Sequence, residues 1–295
     1  MININIKSFA FIFLLGLLWG PSFLLIKIAL EGGILPFTLT TLRVGIAAVF
    51  LWGFVLLRNS AVPRSPQIIG HAAVIAIFSQ ALPFTLITVA EQYIDSALAG
   101  IINGITPIVT ALLAHVLIHD EKLTGKRIIG ILLGVLGFLI LLVPDLLDRA
   151  LNADTLSVLA VGIAASSYAV GIIYGRLFLR HTRTLALPAL QVSFATVYLF
   201  PLAFGIEGFA QMSQFTPAAW TSIVLLAFLG TACAFVVYFH VMQEYGAVAL
   251  GTSVFLLPIF SIFFGVVFLD ESLSGLTYLG TALILSGMKL VHAKT

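Results

Sequence analysis

The sequence predicts an all-α integral membrane protein of ten transmembrane helices arranged as two inverted five-helix repeats. Three observations carry that prediction: a composition too apolar for a water-exposed globule, ten apolar runs of spanning length, and a motif that occurs twice at a fixed interval. Hydrophobic residues make up 61% of the chain and charged residues 9%, with a mean hydropathy of +1.17. Too little polar sequence remains to cover a soluble surface, so the solvent for most of the chain is lipid. The net charge is only +2, which predicts no nucleic-acid partner. The single Cys233 has no second cysteine with which to form an internal disulfide.

About 20 helical residues, each rising roughly 1.5 Å, cross a hydrocarbon layer about 30 Å thick. Runs of that length fall near residues 8–30, 36–57, 67–89, 96–118, 126–144, 156–178, 185–206, 217–241, 247–269 and 275–292. They are continuous rather than alternating, which favours helices over a barrel. The first run follows Lys7, is too long for the apolar region of a signal peptide and lacks a clear small-residue cleavage site, so it is read as a retained helix. With a cytoplasmic N-terminus, the inner side carries eleven basic residues, including Arg58, Arg64, Lys126 and Arg176, and the outer loops carry only Arg149. That asymmetry predicts a multi-pass protein of the cytoplasmic (inner) membrane with both termini inside.

The repeated motif sits late in each half. The first copy runs Gly100, Pro107, Asp120-Glu121-Lys122-Leu123-Thr124-Gly125 and Gly130; the second runs Gly251, Pro258, Asp270-Glu271-Ser272-Leu273-Ser274-Gly275 and Gly280. The interval is 151 residues at the prolines and 150 at the acidic pairs. Residues 1–150 and 151–295 are therefore expected to be two copies of one unit. Five spans is an odd number, so the second copy enters the membrane from the opposite side to the first. Two such units related by a pseudo-two-fold axis in the membrane plane provide a route to alternating access.

The segment Leu18-Trp19-Gly20-Pro21-Ser22-Phe23 through Lys27, then Arg43, then the Pro107 and Pro258 units each ending in Glu, Leu, Thr or Ser, and Gly, resembles the EamA-like branch of the drug/metabolite transporter superfamily. The resemblance covers essentially the whole chain. It implies a ten-helix carrier, usually an exporter, with a central cavity between the halves and a substrate range of amino acids, metabolites, nucleotide derivatives and toxic compounds. One departure is Tyr168, which stands where the first helix of the second copy commonly has Trp. The expected function is secondary transport, with export of amino acids or related small metabolites through that cavity. Alternatives are a carrier of a nucleotide derivative, vitamin or toxic cation, or a passive channel. A nucleotide substrate asks for several cavity bases, and only Lys27 and Arg43 are available.

Polar and aromatic side chains within spans are the candidate substrate contacts: Trp19, Ser22, Gln80, Thr85, Asn103, Tyr168 and Tyr238. Aromatic faces suit the apolar part of a small amphipathic solute, and amides and hydroxyls its polar part. Pro107 and Pro258 are candidate hinges, because proline breaks a helix and frees carbonyls where transporter cavities form. Lys27 and Arg43 form an outer-side charge pair of sites. Lys27 is expected to snorkel, and Arg43 to find an ion-pair partner among Glu31, Glu91 and Asp95 or, as the second reading, to attract a carboxylate-bearing solute. The acidic pairs read as caps of the helices that follow them, assisted by Thr124 and Ser274. Gly130, Gly134 and Gly137, like Gly280 and Gly287, mark close helix packing, either within one half or in a homodimer. No phosphate-binding glycine loop, metal-ligand spacing or nucleophile arrangement is present in the sequence, so neither an enzyme, a cofactor nor a metal is expected. The partners expected are a small solute and the bilayer, with the protein a monomer or homodimer.

Overall fold

The computed structural model describes residues 6–118, 124–147, 153–182, 184–208, 212–244, 253–254 and 256–292. Asp120, Glu121, Lys122, Arg149, Tyr245 and Gly251 lie outside the described residues. Among the described residues, eight helices are long and apolar enough to cross a membrane: α1 (Phe9–Glu31), α2 (Pro36–Leu57), α3 (Pro66–Ala90), α4 (Ser96–Leu117), α5 (Gly125–Leu142), α6 (Asp154–Phe178), α7 (Ala186–Glu207) and α8 (Pro217–Val241). Two shorter apolar helices follow, α9 (Leu256–Leu269) and α10 (Gly275–Val291). The regular structure among the described residues is entirely helical.

Burial is arranged for lipid rather than water. Ala47, Ala76, Ala164, Ala165 and Ala189 are fully buried, whereas Val49, Leu57, Leu132, Phe204 and Phe268 are exposed. In lipid no hydrophobic drive pulls helices together, so small residues let backbones approach beside buried Leu39, Leu51, Ile101 and Ile284, while many other large apolar side chains face outward.

The spans are not uniform rods. α3 contains a π-helical turn at Ile77–Ala81 and α8 another at Phe228–Cys233. Their starts are 151 residues apart, the same interval as Pro107 and Pro258. α4 breaks at Gly104 and Ile105, whose N–H groups turn back to the carbonyls of Ile101 and Ile102 at 3.0 Å. Pro107 then falls in the first turn of the helical piece that follows, where its missing N–H removes nothing. Pro258 stands in α9, and its ring packs against Gly104, where an added Cβ would come within 3.0 Å of Pro258 Cγ.

Helix contacts come in matched sets. α3 packs on α6 and α7, while α8 packs on α1 and α2; α4 packs on α6, while α9 packs on α1. The remaining major pairs are α2 with α7, α4 with α9, and α5 with α10. The α5–α10 seam uses the glycines seen in the sequence. A Cβ on Gly130 would meet the Gly287 carbonyl at 2.7 Å, and one on Gly137 would meet the Gly280 carbonyl at the same distance. Gly130, Gly137, Gly280 and Gly287 therefore join α5 to α10, whereas Gly134 packs against Ile108 of α4 in its own half, as one of the two expected uses had it. Occupied in this way, they are not free to form a homodimer.

Candidate functional site

Where helices of the two halves meet, polar side chains make two cross-half contacts. Gln80, in the π-turn of α3, donates through Nε2 to Gln191 Oε1 of α7 at 3.3 Å. Thr231, in the π-turn of α8, accepts from Arg43 Nε of α2 at 3.1 Å. Gln80 and Thr231 are 151 residues apart, so the same position in each half reaches across to the other. A π-turn inserts one residue into a helical turn and shifts the ladder of backbone bonds, a distortion common at functional sites.

Arg43 is the central charge of this region. Only 5% exposed, it lays its guanidinium over the Phe84 ring, with Cζ 3.8 Å from the centroid. Phe84 in turn meets Tyr168 edge-on at 6.2 Å. A guanidinium on an aromatic face gains from the ring quadrupole, more so away from water. Ser22 of α1 lies against Gly230, the residue before Thr231: its Oγ would lie 2.7 Å from a Cβ there, and it has no hydrogen-bond partner. The expected ion pair of Arg43 is replaced by this hydroxyl and ring. No carboxylate oxygen of Glu31, Glu91 or Asp95 forms an ion pair with it, because α2 starts at Pro36 and so carries Arg43 two turns into the bundle.

The other predicted contacts are distributed around this cluster. Trp19 and Tyr238 pair at 6.1 Å between α1 and α8. Thr85 donates to the carbonyl of Ala81 in its own helix at 2.7 Å. Asn103 is 8% exposed, and its Oδ1 has no partner; it stands on α4 beside the Gly104 break. The structure thus brings Arg43 and Tyr168 together through Phe84, places Ser22 against Gly230, pairs Trp19 with Tyr238, and gives Gln80 a separate partner. Phe84, Gln191 and Thr231 were not singled out in the sequence. Gln191 and Thr231 are polar residues within apolar runs, a usable signal; Phe84 is one of 24 phenylalanines and carries none.

A second polar region lies where the ends of α1, α3 and α9 meet the start of α4. Lys27, Glu31, Asp95, Asp270 and Glu271 line a cleft of about 340 Å³ there. Lys27 Nζ does not simply reach for an aqueous edge. It donates to the main-chain carbonyls of Glu91 and Ile94 at 2.9 and 3.0 Å, satisfying the C-terminal end of α3. Glu271 accepts from the backbone N–H groups of Ser96 and Ala97 at 2.7 and 2.9 Å. It therefore caps α4, and not the helix that follows it in sequence as expected. Ser274 does cap its own helix, accepting from the Thr277 N–H at 3.1 Å, whereas Thr124 Oγ1 makes no hydrogen bond. Glu207, at the end of α7, repeats the device by accepting from the N–H groups of Phe37 and Thr38 at 2.9 and 2.7 Å. Burial raises the Asp95 carboxyl above its ordinary range, with Glu271 adding repulsion and Lys27 opposing it.

The fold is shared with a protein of known crystal structure that superposes with a TM-score of 0.69 at 20% identity, over 97% of this chain and 96% of that one. Among curated relatives, the chain is similar to the "Uncharacterized transporter YoaV" of Bacillus subtilis (strain 168), at 22% identity over 92% of each protein. It is also similar to the "Probable amino-acid metabolite efflux pump" of Escherichia coli (strain K12), at 26% identity over 92% of this chain and 89% of that one. The description of the EamA-like transporter family matches residues 6–143 and again residues 155–292. The chain therefore belongs to the EamA-like transporter family, as a multi-pass membrane transporter and not an enzyme.

Proposed function

We propose that the protein is a secondary transporter that exports amino acids or related small metabolites from the cytoplasm by alternating access, with Arg43 receiving the solute's carboxylate. The observation that carries this reading is a buried guanidinium with a ring and a hydroxyl for company and no ion-pair partner. An intramembrane charge left uncompensated costs several kcal/mol, so it is kept where it has a task. A carboxylate from the solute supplies the missing counter-charge with bidentate geometry. Phe84, Tyr168 and the Trp19–Tyr238 pair offer aromatic faces to an apolar side chain. The relative described as an amino-acid metabolite efflux pump supports the same solute class. A cationic solute fits poorly beside Arg43.

In this reading the ten helices form two five-helix units, inverted relative to each other, in the cytoplasmic membrane with both termini inside. The matched helix contacts, the equivalent π-turns and the doubled family match support it. Exchange of the two units' conformations alternates access to the junction. Pro107, in the first turn of the helical piece after the α4 break, and Pro258, whose ring packs against Gly104 in that break, are the proposed hinges.

Two measurements test the reading. Purified protein in sealed vesicles, given a panel of radiolabelled L-amino acids, is expected to exchange at least one of them above protein-free vesicles. Arg43→Gln is expected to abolish that exchange while the protein still inserts. Equal handling of an amino acid and its amide, which lacks the carboxylate, overturns the role of Arg43. For topology, Lys122→Cys and Ser272→Cys in a Cys233→Ser background are expected to react with an impermeant reagent from opposite faces. Reaction from the same face overturns the inverted arrangement.

A further inference from the structure

Glu91 closes α3, and its side chain is fully buried with both carboxylate oxygens unpartnered. Three charged groups surround it: Lys27 of α1, Arg43 of α2, and Glu271 in the chain between α9 and α10. None completes a hydrogen bond to the carboxylate. Lys27 is committed to main-chain carbonyls, one of them that of Glu91 itself. Arg43 is committed to Thr231 and Phe84, and Glu271 to the start of α4. An ionised carboxylate in such a place loses its hydration without replacement, and the usual resolution is to hold a proton. Burial indeed pushes this carboxyl well above the ordinary carboxylate range, opposed by Lys27 and reinforced by Glu271.

We propose that Glu91 is a protonation site that exchanges its proton with the cleft through the neighbourhood of Lys27, and that this proton is the coupling ion of transport. The coupling part rests on the transport reading above; the protonation part does not. Lys27 is common to both places, since it lines the cleft and sits against Glu91. The step is a simple dissociation: the carboxyl O–H breaks, the proton passes to water in the cleft, and the carboxylate left behind has Lys27 and Arg43 as the nearest cations. The position 151 residues later is Met242, so the group is not repeated at the matching position of the second half.

The sign of coupling follows from Arg43. A neutral Glu91 leaves the guanidinium without competition, so a solute carboxylate at Arg43 and a proton at Glu91 favour each other. Both then travel in the same direction, so a gradient that is acid outside opposes export, and net export requires an outward solute gradient that exceeds the opposing proton gradient.

Infrared difference spectra of the protein in lipid nanodiscs read the protonation without any solute. Wild type near neutral pH is expected to show a protonated-carboxyl C=O band that is missing from Glu91→Gln. Absence of a Glu91-dependent band overturns the proposal, as does a band that sodium abolishes, which marks a cation site instead. Thermal unfolding gives a second readout. Above the ordinary carboxylate range the native state holds a proton that the unfolded chain has lost, so stability falls as pH rises until the raised native value is passed. Wild type is expected to show this fall, and Glu91→Gln, which mimics the neutral form, a shallower one; equal slopes overturn the proposal. In vesicles, acid outside is expected to drive accumulation of the transported amino acid by wild type. Glu91→Gln is expected to exchange that amino acid but ignore the gradient. An equal response in both proteins, or accumulation driven by acid inside, overturns the coupling role. Loss of all amino-acid flux with the infrared band intact overturns the transport reading alone.

Discussion

The two ends of the α2–α7 pair solve one problem with different chemistry. At one end the orphan N–H groups that begin α2 are taken by the carboxylate of Glu207 from the end of α7. At the other end, the residue just before α7, Leu185, donates its N–H to the hydroxyl of Ser60, which follows α2, while Thr184 holds the carbonyl of Ala61. Every helix start leaves N–H groups unmet, and a cap supplied by the other half of the molecule ties the halves together at that end. Carboxylate caps are charge-assisted and about twice as strong as neutral ones. The Glu207 end, joined there by Glu271 on α4, is therefore the more tightly latched in this conformation.

Breaking both carboxylate latches gives the largest effect. Glu207→Ala with Glu271→Ala is expected to remove about 2–4 kcal/mol, two caps at roughly 1–2 each, read as a lowered unfolding midpoint in nanodiscs. The double variant is also expected to make a cysteine placed at Thr38 react faster with an impermeant reagent. Unchanged reactivity would mean that these carboxylates stabilise helices without closing anything. Glu207→Gln sharpens the point, since it keeps an acceptor and loses the charge; a loss of about half that of Glu207→Ala is expected in the same assay. Ser60→Ala, at the opposite end, is expected to cost about 0.5–1 kcal/mol. A larger loss than for Glu207→Ala would reverse the comparison. Smallest is Ser274→Ala, an exposed cap within one helix, with a loss of at most about 0.5–1 kcal/mol and no change in Thr38 reactivity.

What the sequence makes legible is the part of the structure governed by local rules. Apolar runs locate α1 to α8 because spanning length and hydropathy are properties of consecutive residues. Ser274 reads as a cap and behaves as one, because its partner Thr277 is three residues away. Glu271 reads as a cap too, but its partners at Ser96 and Ala97 are about 175 residues distant, and no neighbouring letter points to them. Arg43 was expected to seek an acid near the outer face; its hydroxyl partner Thr231 lies 188 residues away and is brought in by a π-turn with no sequence signature of its own. The glycines of α5 and α10 announce close packing, while only the fold pairs them with each other. Glu91 was visible only as one of several acids near Arg43; that its carboxylate has no partner depends on where Lys27, Arg43 and Glu271 spend their own hydrogen bonds.

The seam between α5 and α10 limits how the molecule can move. Gly130 against Gly287 and Gly137 against Gly280 bring main chain to main chain, with bulky Leu136 and Phe138 adjoining the second contact. Sliding either helix along the other would bring a side chain against main chain where a glycine now sits, so this joint resists displacement. It is expected to act as a keel, a fixed joint that holds while the other helices move. Spin labels on α5 and α10 would then keep their separation through a whole cycle, while labels on α2 and α7 would not.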